Sequence, residues 1–367
     1  MTSLKFLETK PSLIMNQLDL FFAGLEESDK RLTRSLATNA LICASSLKLE
    51  PALNTVAESE PGRIFLLTEQ ERGAALKTSV SALCHIISKD YKLCCEIIKI
   101  DLPARELQSS EQTAAAASII SAYLLPARYC RVFFLDWWPP DPLRSLLLNT
   151  IADEVIFSSK EFLAKEERLN PLLSSPAQIA DLEWFLIESW RKIIEHTLFK
   201  WIREGLEIEK INVKYSGTRK LSYFPAFLLL GWFVERVGLQ VVSYSREGFE
   251  CIKGNPSENE EFDPTGVLSA RKLTVTINKC SNQLAPKGLE EVVLEGALRD
   301  SREKAKLSIK KLSHRSLEVQ WQVGASTKKT SIAGGIDNLE GLLQVSMNRV
   351  VDKELYLRSI ERSLELI

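Results

Sequence analysis

Apolar and polar positions follow two regimes along this chain. Up to about residue 245, short apolar runs are separated by segments with helical spacing. From Gly248 onward the period falls to two, and short alternating strands are divided by polar turns. Residues 11–42 read as helical, carried by Leu13, Ile14, Leu18, Leu20, Phe21 and Leu25 before a charged patch at Glu26 to Arg34, while Leu36 to Leu47 fits either a strand or a second helix. Arg63 to Leu67, behind a Pro-Gly turn, and Cys94 to Leu102, stopped by Pro103, read as strands. Residues 109–124 form an alanine-rich helix with Ile119, Ile120 and Leu124 on its apolar side.

Arg131 to Leu135 is a nearly continuous apolar run, as expected of a strand covered on both faces. Asp141 as N-cap and Pro142 at the first helical position then open a helix with Leu143, Leu146, Leu147 and Ile151 on one face. Glu154 to Phe157 is the next strand, so a β-α-β unit and a parallel sheet are predicted. Ser175-Pro-Ala-Gln178 has the form of a capped helix start, for a helix reaching about Arg203 and stopping at Gly205. Ile208 to Tyr215 is a strand, Ser222 to Val237 an apolar helix closed by Gly238, and Leu239 to Tyr244 a strand. Further strands are expected near 249–253, 271–278, 290–295, 304–311 and 315–323. Asn255 to Pro264 reads as a surface loop, and a last helical stretch, broken or not, runs from Asp337 to Ile367. The fold class that follows is α/β and α+β: an N-terminal three-layer α/β domain with a mainly parallel sheet over 1–172, then a C-terminal α+β domain with a mostly antiparallel sheet over 173–367.

Composition narrows the function. With 367 residues, 45% hydrophobic, 26% charged and a net charge of −1, the chain has two domains' worth of core and no charge bias toward nucleic acid or anionic membrane. Its longest apolar run, Phe224 to Val234, is too short to span a bilayer, and its first residues lack the pattern of a secretory signal. Seven cysteines, an odd number without metal-type spacing, fit a reduced, cytoplasmic setting. Cys94-Cys95 reads as two small hydrophobes inside a strand, with a redox pair as the alternative.

The usual catalytic and cofactor motifs are absent: no Gly-rich dinucleotide turn, no phosphate loop, no His-Glu-x-x-His and no Gly-x-Ser-x-Gly. His85 sits in an apolar run, His196 in a helix and His314 in a basic turn, none at ligand spacing from other ligand types, so neither a metal nor a cofactor is expected. Asp136, Asp141 and Asp153 flank one aromatic loop, which leaves a carboxylate pair open beside the plainer capping role of Asp141. Lys304, Lys306 and Lys310 alternate with apolar residues. They form a solvated strand face or, alternatively, a patch for an acidic partner or phosphorylated ligand.

The aromatic loop itself, Asp136-Trp-Trp-Pro-Pro-Asp-Pro-Leu143, is the least ordinary segment. Followed by Ile151-Ala-Asp-Glu-Val-Ile156 and Ser158-Ser159, it resembles the glucose-6-phosphate dehydrogenase assembly protein family, OpcA. Ala180-Asp181-Leu-Glu-Trp184, Trp190-Arg191 and Leu228-Leu-Leu-Gly-Trp232 resemble later family motifs, in order, over roughly residues 130–240. Two departures stand out: the loop between Trp138 and Asp141 is shorter than in many members, and Phe185-Leu-Ile187 replaces polar residues. The resemblance implies a non-enzymatic protein that binds glucose-6-phosphate dehydrogenase and promotes its oligomerisation and activity, feeding NADPH supply through the oxidative pentose phosphate pathway.

Residue types agree with a binding role. Asp136, Trp137, Trp138, Asp141, Asp181, Trp184, Trp190 and Arg191 are the candidate partner contacts, rich in the Trp and Arg that dominate interface energetics. Trp184, Glu188 and Arg191 share one helix face and are expected nearer the surface, with Trp190, Ile194 and Trp201 on the core side. The rival reading is an α/β enzyme or a sugar-phosphate or nucleotide binder using the loop after Leu135.

Overall fold

A computed structural model of the chain describes residues 5–29, 31–70, 73, 75–89, 91–162, 171–172, 174–203, 205–216, 223–245, 248–253, 273–279, 288–313, 316–334, 338–349 and 351–365. It divides into two units, Met1–Leu182 with Leu339–Val350, and Glu183–Asn338 with Val351–Ile367.

The first unit runs β1 (Leu7–Thr9), α1 (Ile14–Ser28), β2 (Leu32–Ser35), β3 (Asn39–Cys43), α2 (Ser46–Ser59), β4 (Arg63–Glu69), β5 (Lys77–Ser88), β6 (Tyr91–Leu102), α3 (Ser110–Tyr123) and β7 (Cys130–Phe134). It continues with α4 (Leu143–Leu146), extended by a π-helical turn (Leu147–Ile151), then β8 (Glu154–Phe157), α5 (Ser159–Phe162) and β9 (Gln178–Asp181). The sheet has the order β1-β5-β6-β4-β3-β7-β8-β9, with β2 beside β6. From β6 to β9 all neighbours are parallel. Numbered along the chain, those six strands lie third, second, first, fourth, fifth, sixth, which is the doubly wound order.

Continuous apolar runs make the central strands. All five residues of β3 and all four of β8 are buried, so both sheet faces are covered there. Helix α3 starts with a capping box: the Gln112 N–H donates to the Ser109 hydroxyl (3.2 Å), and the Ser109 N–H donates to the Gln112 side chain (3.0 Å). Charged groups also lie fully inside, Glu96 among them. Glu96, with 0% exposure, accepts from Arg63 Nε (2.5 Å) and also pairs with Arg34. The guanidiniums compensate the buried carboxylate, which would otherwise be costly.

Several sequence expectations change. The helix read over 11–42 ends at Ser28, because Leu32–Ser35 pairs with β6 and Asn39–Cys43 is claimed by the sheet. Strand β5 and helix α2 had no clear sequence signal. Ser175-Pro-Ala-Gln178 starts no helix: Gln178–Asp181 is β9, and Ile179 and Ala180 are buried beside β8. The Ser175 hydroxyl instead donates to the Leu148 carbonyl (2.6 Å). Nor are all cysteines reduced: Cys84 on β5 is bonded to Cys94 on β6, directly opposite in register. Cys94 and Cys95 therefore do not pair, and Cys95 remains a buried thiol.

The second unit contains α6 (Leu182–Leu186, from Glu183), α7 (Glu188–Arg203), β10 (Leu206–Ser216), α8 (Phe224–Val237), β11 (Leu239–Ser245), β12 (Gly248–Lys253), β13 (Leu273–Lys279), β14 (Gly288–Leu298), β15 (Lys304–Ser313), β16 (Ser316–Val323), β17 (Ser326–Ala333) and α9 (Lys353–Glu365). Its strands form an eight-stranded sheet, β11-β12-β13-β10-β14-β15-β16-β17, antiparallel except where β10 meets β13. Helix α8 ends on Gly238 at φ +67°, the left-handed turn its sequence predicts. Helices α8 and α9 approach closely at Gly231, where any Cβ would collide with Ser359 and Ser363. The alternating lysines of β15 face acids on adjacent strands: Lys306 pairs with Glu295 (2.8 Å), and Lys310 sits opposite Glu291, itself bound to Lys214 (2.5 Å). That supports the solvated-face reading of the lysine run. The loop read at Asn255 to Pro264, and His314, lie outside the described residues. No helix among the described residues is long and apolar enough to cross a membrane.

Candidate functional site

The aromatic loop leaves the C-terminal end of β7, where the doubly wound order places its switch point between β3 and β7. Ligands of such sheets bind in the crevice there. In this chain the crevice side is laced by internal hydrogen bonds. Asp136 follows β7 and accepts two of them from the start of α2: the Ser45 N–H donates to Oδ1 (2.7 Å) and the Ser45 hydroxyl to Oδ2 (2.5 Å). Ser45 is the N-cap of α2, so the carboxylate lies where a helix N-terminus would otherwise receive an external anion. Asp181, at the end of β9, repeats the device two strands over, accepting from the Ser159 N–H (3.0 Å) and hydroxyl (2.6 Å) at the start of α5.

Trp137 is half-buried and donates its indole N–H to Glu69 at the end of β4 (2.9 Å). Because β3 lies between β4 and β7, this bond reaches across the end of β3. Trp138 turns inward, 9% exposed, tilted against Phe134 with centroids 4.9 Å apart and the Arg144 guanidinium over its ring at 5.4 Å. Asp141 is exposed and pairs with Arg144 and the Ser145 hydroxyl (2.8 Å). Its predicted capping role is corrected: the peptide to Pro142 is cis, Pro142 holds the cap position, and Asp141 braces the first turn through side chains instead. Asp153 does not join Asp136: it accepts from the Cys130 N–H (2.8 Å) at the opposite end of β7, which takes Asp153 out of any carboxylate pair at the loop.

In the second unit, Arg191 lies over the Trp184 ring at 3.6 Å and donates to its carbonyl (3.2 Å). Tyr356 meets the same indole edge-on at 5.4 Å. Trp184 and Arg191 thus share a face as their spacing predicts, but Trp184 is only 4% exposed, so the expectation of a surface position fails. Burial lowers the Arg191 pKa to about 10. Trp190 is buried too, with Ile194 and Trp201, and so are the departing residues Phe185 and Ile187. Of the candidate contacts, then, Asp141 is exposed, Asp136, Trp137 and Arg191 are half-buried, and the rest are buried. Sequence reasoning missed Ser45 and Glu69. Their signal was only positional: each ends or follows a strand at the same sheet edge.

What can the edge do chemically? The first βα turn reads Cys43-Ala-Ser-Ser46, with none of the glycines that let a pyrophosphate approach the backbone. No group of three or more His, Cys, Asp or Glu could hold a metal among the described residues. The class these features define is a doubly wound α/β unit of dinucleotide-binding strand order whose first turn lacks the binding glycines, in a chain that also carries a large, mostly antiparallel sheet.

Curated relatives agree with the motif resemblance. The chain is 29% identical over 212 residues, 54% of its length, to the OpcA protein of Synechococcus elongatus, whose name assigns it provisionally to the OxPP cycle. It is 31% identical over 197 residues to its namesake in Nostoc punctiforme. The matches span 44% and 39% of those relatives, less than half their length. No family model matches. Among solved structures, glucose-6-phosphate 1-dehydrogenase from Mycobacterium avium aligns over 90% of this chain and 91% of its own, at 11% identity and a TM-score of 0.47. KijD10, a 3-ketoreductase from Actinomadura kijaniata, aligns with a TM-score of 0.40 at 8% identity.

Proposed function

We propose that the chain is a cytoplasmic, non-enzymatic assembly factor that binds glucose-6-phosphate dehydrogenase and promotes its oligomerisation and activity in the oxidative pentose phosphate pathway. The observation that carries the non-enzymatic part is the Asp136–Ser45 bridge: a fixed carboxylate at the N-terminus of α2 repels the phosphate that a working cofactor site would seat there. The partner's identity is supported by the family motifs and by relatives named for the OxPP cycle. In this reading Trp137 and Asp141 meet the partner. Asp136, Trp138 and Asp181 hold that surface from behind, and Trp184, Trp190 and Arg191 stiffen the helices of the second unit.

A binder that prefers the assembled dehydrogenase shifts its equilibrium by the difference in affinity alone. A preference of about 1–3 kcal/mol raises the active population roughly 5- to 150-fold. Titrating the purified chain into the dehydrogenase, with mass from light scattering and initial rate as readouts, tests this. No change in either sinks it.

The strand order favours a second reading, a nucleotide or sugar-phosphate binder. A melting-temperature rise of several degrees with NADP⁺ or glucose 6-phosphate would support that reading over the first, since a ligand that binds only the native state stabilises it.

A further inference from the structure

Among the described side chains, every buried or half-buried arginine but one lies within ion-pair reach of a carboxylate, as Arg63 does of Glu96 and Arg131 of Glu154. The exception is the half-buried Arg191 on α7. The acids nearest to it along the helix are engaged elsewhere. One turn before it, Glu188 is bound to Lys192 (2.7 Å), and one turn after it, Glu195 is bound to Arg236 (3.1 Å). Burial lowers the Arg191 pKa to about 10 although both acids pull it upward. The unit's own charges therefore do not make good what burial takes from this cation.

The guanidinium is nevertheless held in place. It stacks on the Trp184 ring at 3.6 Å and donates through Nη2 to the Trp184 carbonyl (3.2 Å). Tyr356 packs edge-on against the same indole and fixes it in turn. The Nε–H is closed off from solvent and has no acceptor in the protein. Stacking uses the face of a guanidinium and leaves its N–H edges, which match a carboxylate or phosphate in two parallel bonds. It also returns only part of what an ion loses on leaving water, and a buried cation without a counter-charge is costly.

We infer that Arg191 is the receptor for an oxyanion supplied from outside the chain, a phosphate group or a carboxylate, taken on the N–H edge of a guanidinium that Trp184 holds by its face. The anion supplies the counter-charge that Glu188 and Glu195 withhold, and acceptors for donors the protein leaves unused. Two sources carry this chemistry: a small phosphorylated molecule, or an acidic side chain of a protein partner. The second rests on the dehydrogenase reading; the first does not.

Two measurements on the full chain separate them, each made on the parent, Arg191→Met and Arg191→Lys. Met removes the charge at similar length. Lys keeps the charge without the planar fork, and decides the matter if the Met variant does not fold. The first measurement is the melting temperature in millimolar inorganic phosphate against sodium chloride of equal ionic strength. A phosphate site should raise the parent by several degrees, Arg191→Lys by less and Arg191→Met not at all. The second is calorimetric affinity for the dehydrogenase in phosphate-free buffer. A partner carboxylate on Arg191 should leave both variants binding at least about tenfold more weakly than the parent. Either contrast supports the inference and names the source. Variants that match the parent in both measurements overturn it. A parent chain that does not bind the dehydrogenase sinks the partner reading alone, and the phosphate contrast then decides this one.

Discussion

Asp136 accepts both the backbone N–H and the hydroxyl of Ser45, tying the end of β7 to the start of α2 across the switch point of the sheet. The pair does two jobs. It satisfies an otherwise open donor at a helix start, and it places a negative charge at the positive end of that helix. Replacing Asp136 with Ala removes a charge-assisted pair and leaves the Ser45 groups to water. Stability should fall by about 1–3 kcal/mol, read as a lower denaturant midpoint at unchanged slope. Asp136→Asn, which keeps an acceptor, should lose less. Equal stability of the Ala variant and the parent protein would show that the bridge contributes nothing.

Glu96 sets a harder constraint. It is fully buried and held by Arg63 and Arg34. Removing it as Glu96→Ala leaves the buried Arg63 guanidinium without its carboxylate, while Arg34 keeps Asp19 (2.7 Å), and should cost about 3–5 kcal/mol, as breaking buried pairs does. The triple change Glu96→Leu, Arg63→Met, Arg34→Met should recover much of that loss, since the penalty lies in uncompensated charge. Urea unfolding of the two variants side by side decides the matter. A triple variant no more stable than Glu96→Ala would refute the charge argument.

What the chain reveals before folding follows from how local each signal is. Val132 to Leu135 is apolar throughout, so its place inside a parallel sheet could be read directly, and Gly238 announced the end of α8 through its left-handed φ. Strand β9 could not be read so, because a Ser-Pro-x-Gln start is a helix signal by itself and only the pairing with β8 overrides it. The sheet-edge site was half legible. The Trp-Trp-Pro-Pro loop and the later Asp-Leu-x-Trp were visible as motifs. Ser45 and Glu69, which complete the site, are 91 and 68 residues from their partners. Burial of Trp184 was likewise hidden, since Tyr356 comes from a helix at the far end of the sequence.

Three thiols should be inert in the folded protein. Burial pushes Cys43 well above the ordinary thiol range, Cys95 up to about 11 and Cys130 up to about 12. Only thiolates react quickly with iodoacetamide, so at pH 8 these sites should stay unlabelled over minutes. The sign also fixes the response to pH. A raised folded-state pKa means the unfolded chain gives up its thiol protons first, so stability is full below the unfolded thiol range, near 8.5, and falls as pH climbs from there toward the folded-state values. Peptide mapping by mass spectrometry after brief labelling should find modification at these three positions only in denaturant. Labelling of any of them in the native protein at the rate of a free thiol would contradict their burial.

Trp137 offers the cleanest separation of folding from function. Its neighbour Trp138 is packed against Phe134, whereas Trp137 is half-buried and reaches Glu69 through one indole hydrogen bond. If the loop is the docking surface, Trp137→Ala removes a half-buried aromatic anchor. Truncating such an anchor costs about 2 kcal/mol or more at an interface, roughly a thirtyfold loss of affinity for the dehydrogenase. Trp137→Phe should keep much of the affinity while losing the bond to Glu69. Trp138→Ala would unpack the loop from the strand beneath it and lower the melting temperature as well, so it cannot make the distinction. The decisive comparison is binding by calorimetry beside thermal melting, for Trp137→Ala and Trp137→Phe. Full affinity in the Ala variant would move the docking surface away from this loop. Lost affinity with an unchanged melting temperature would fix it there.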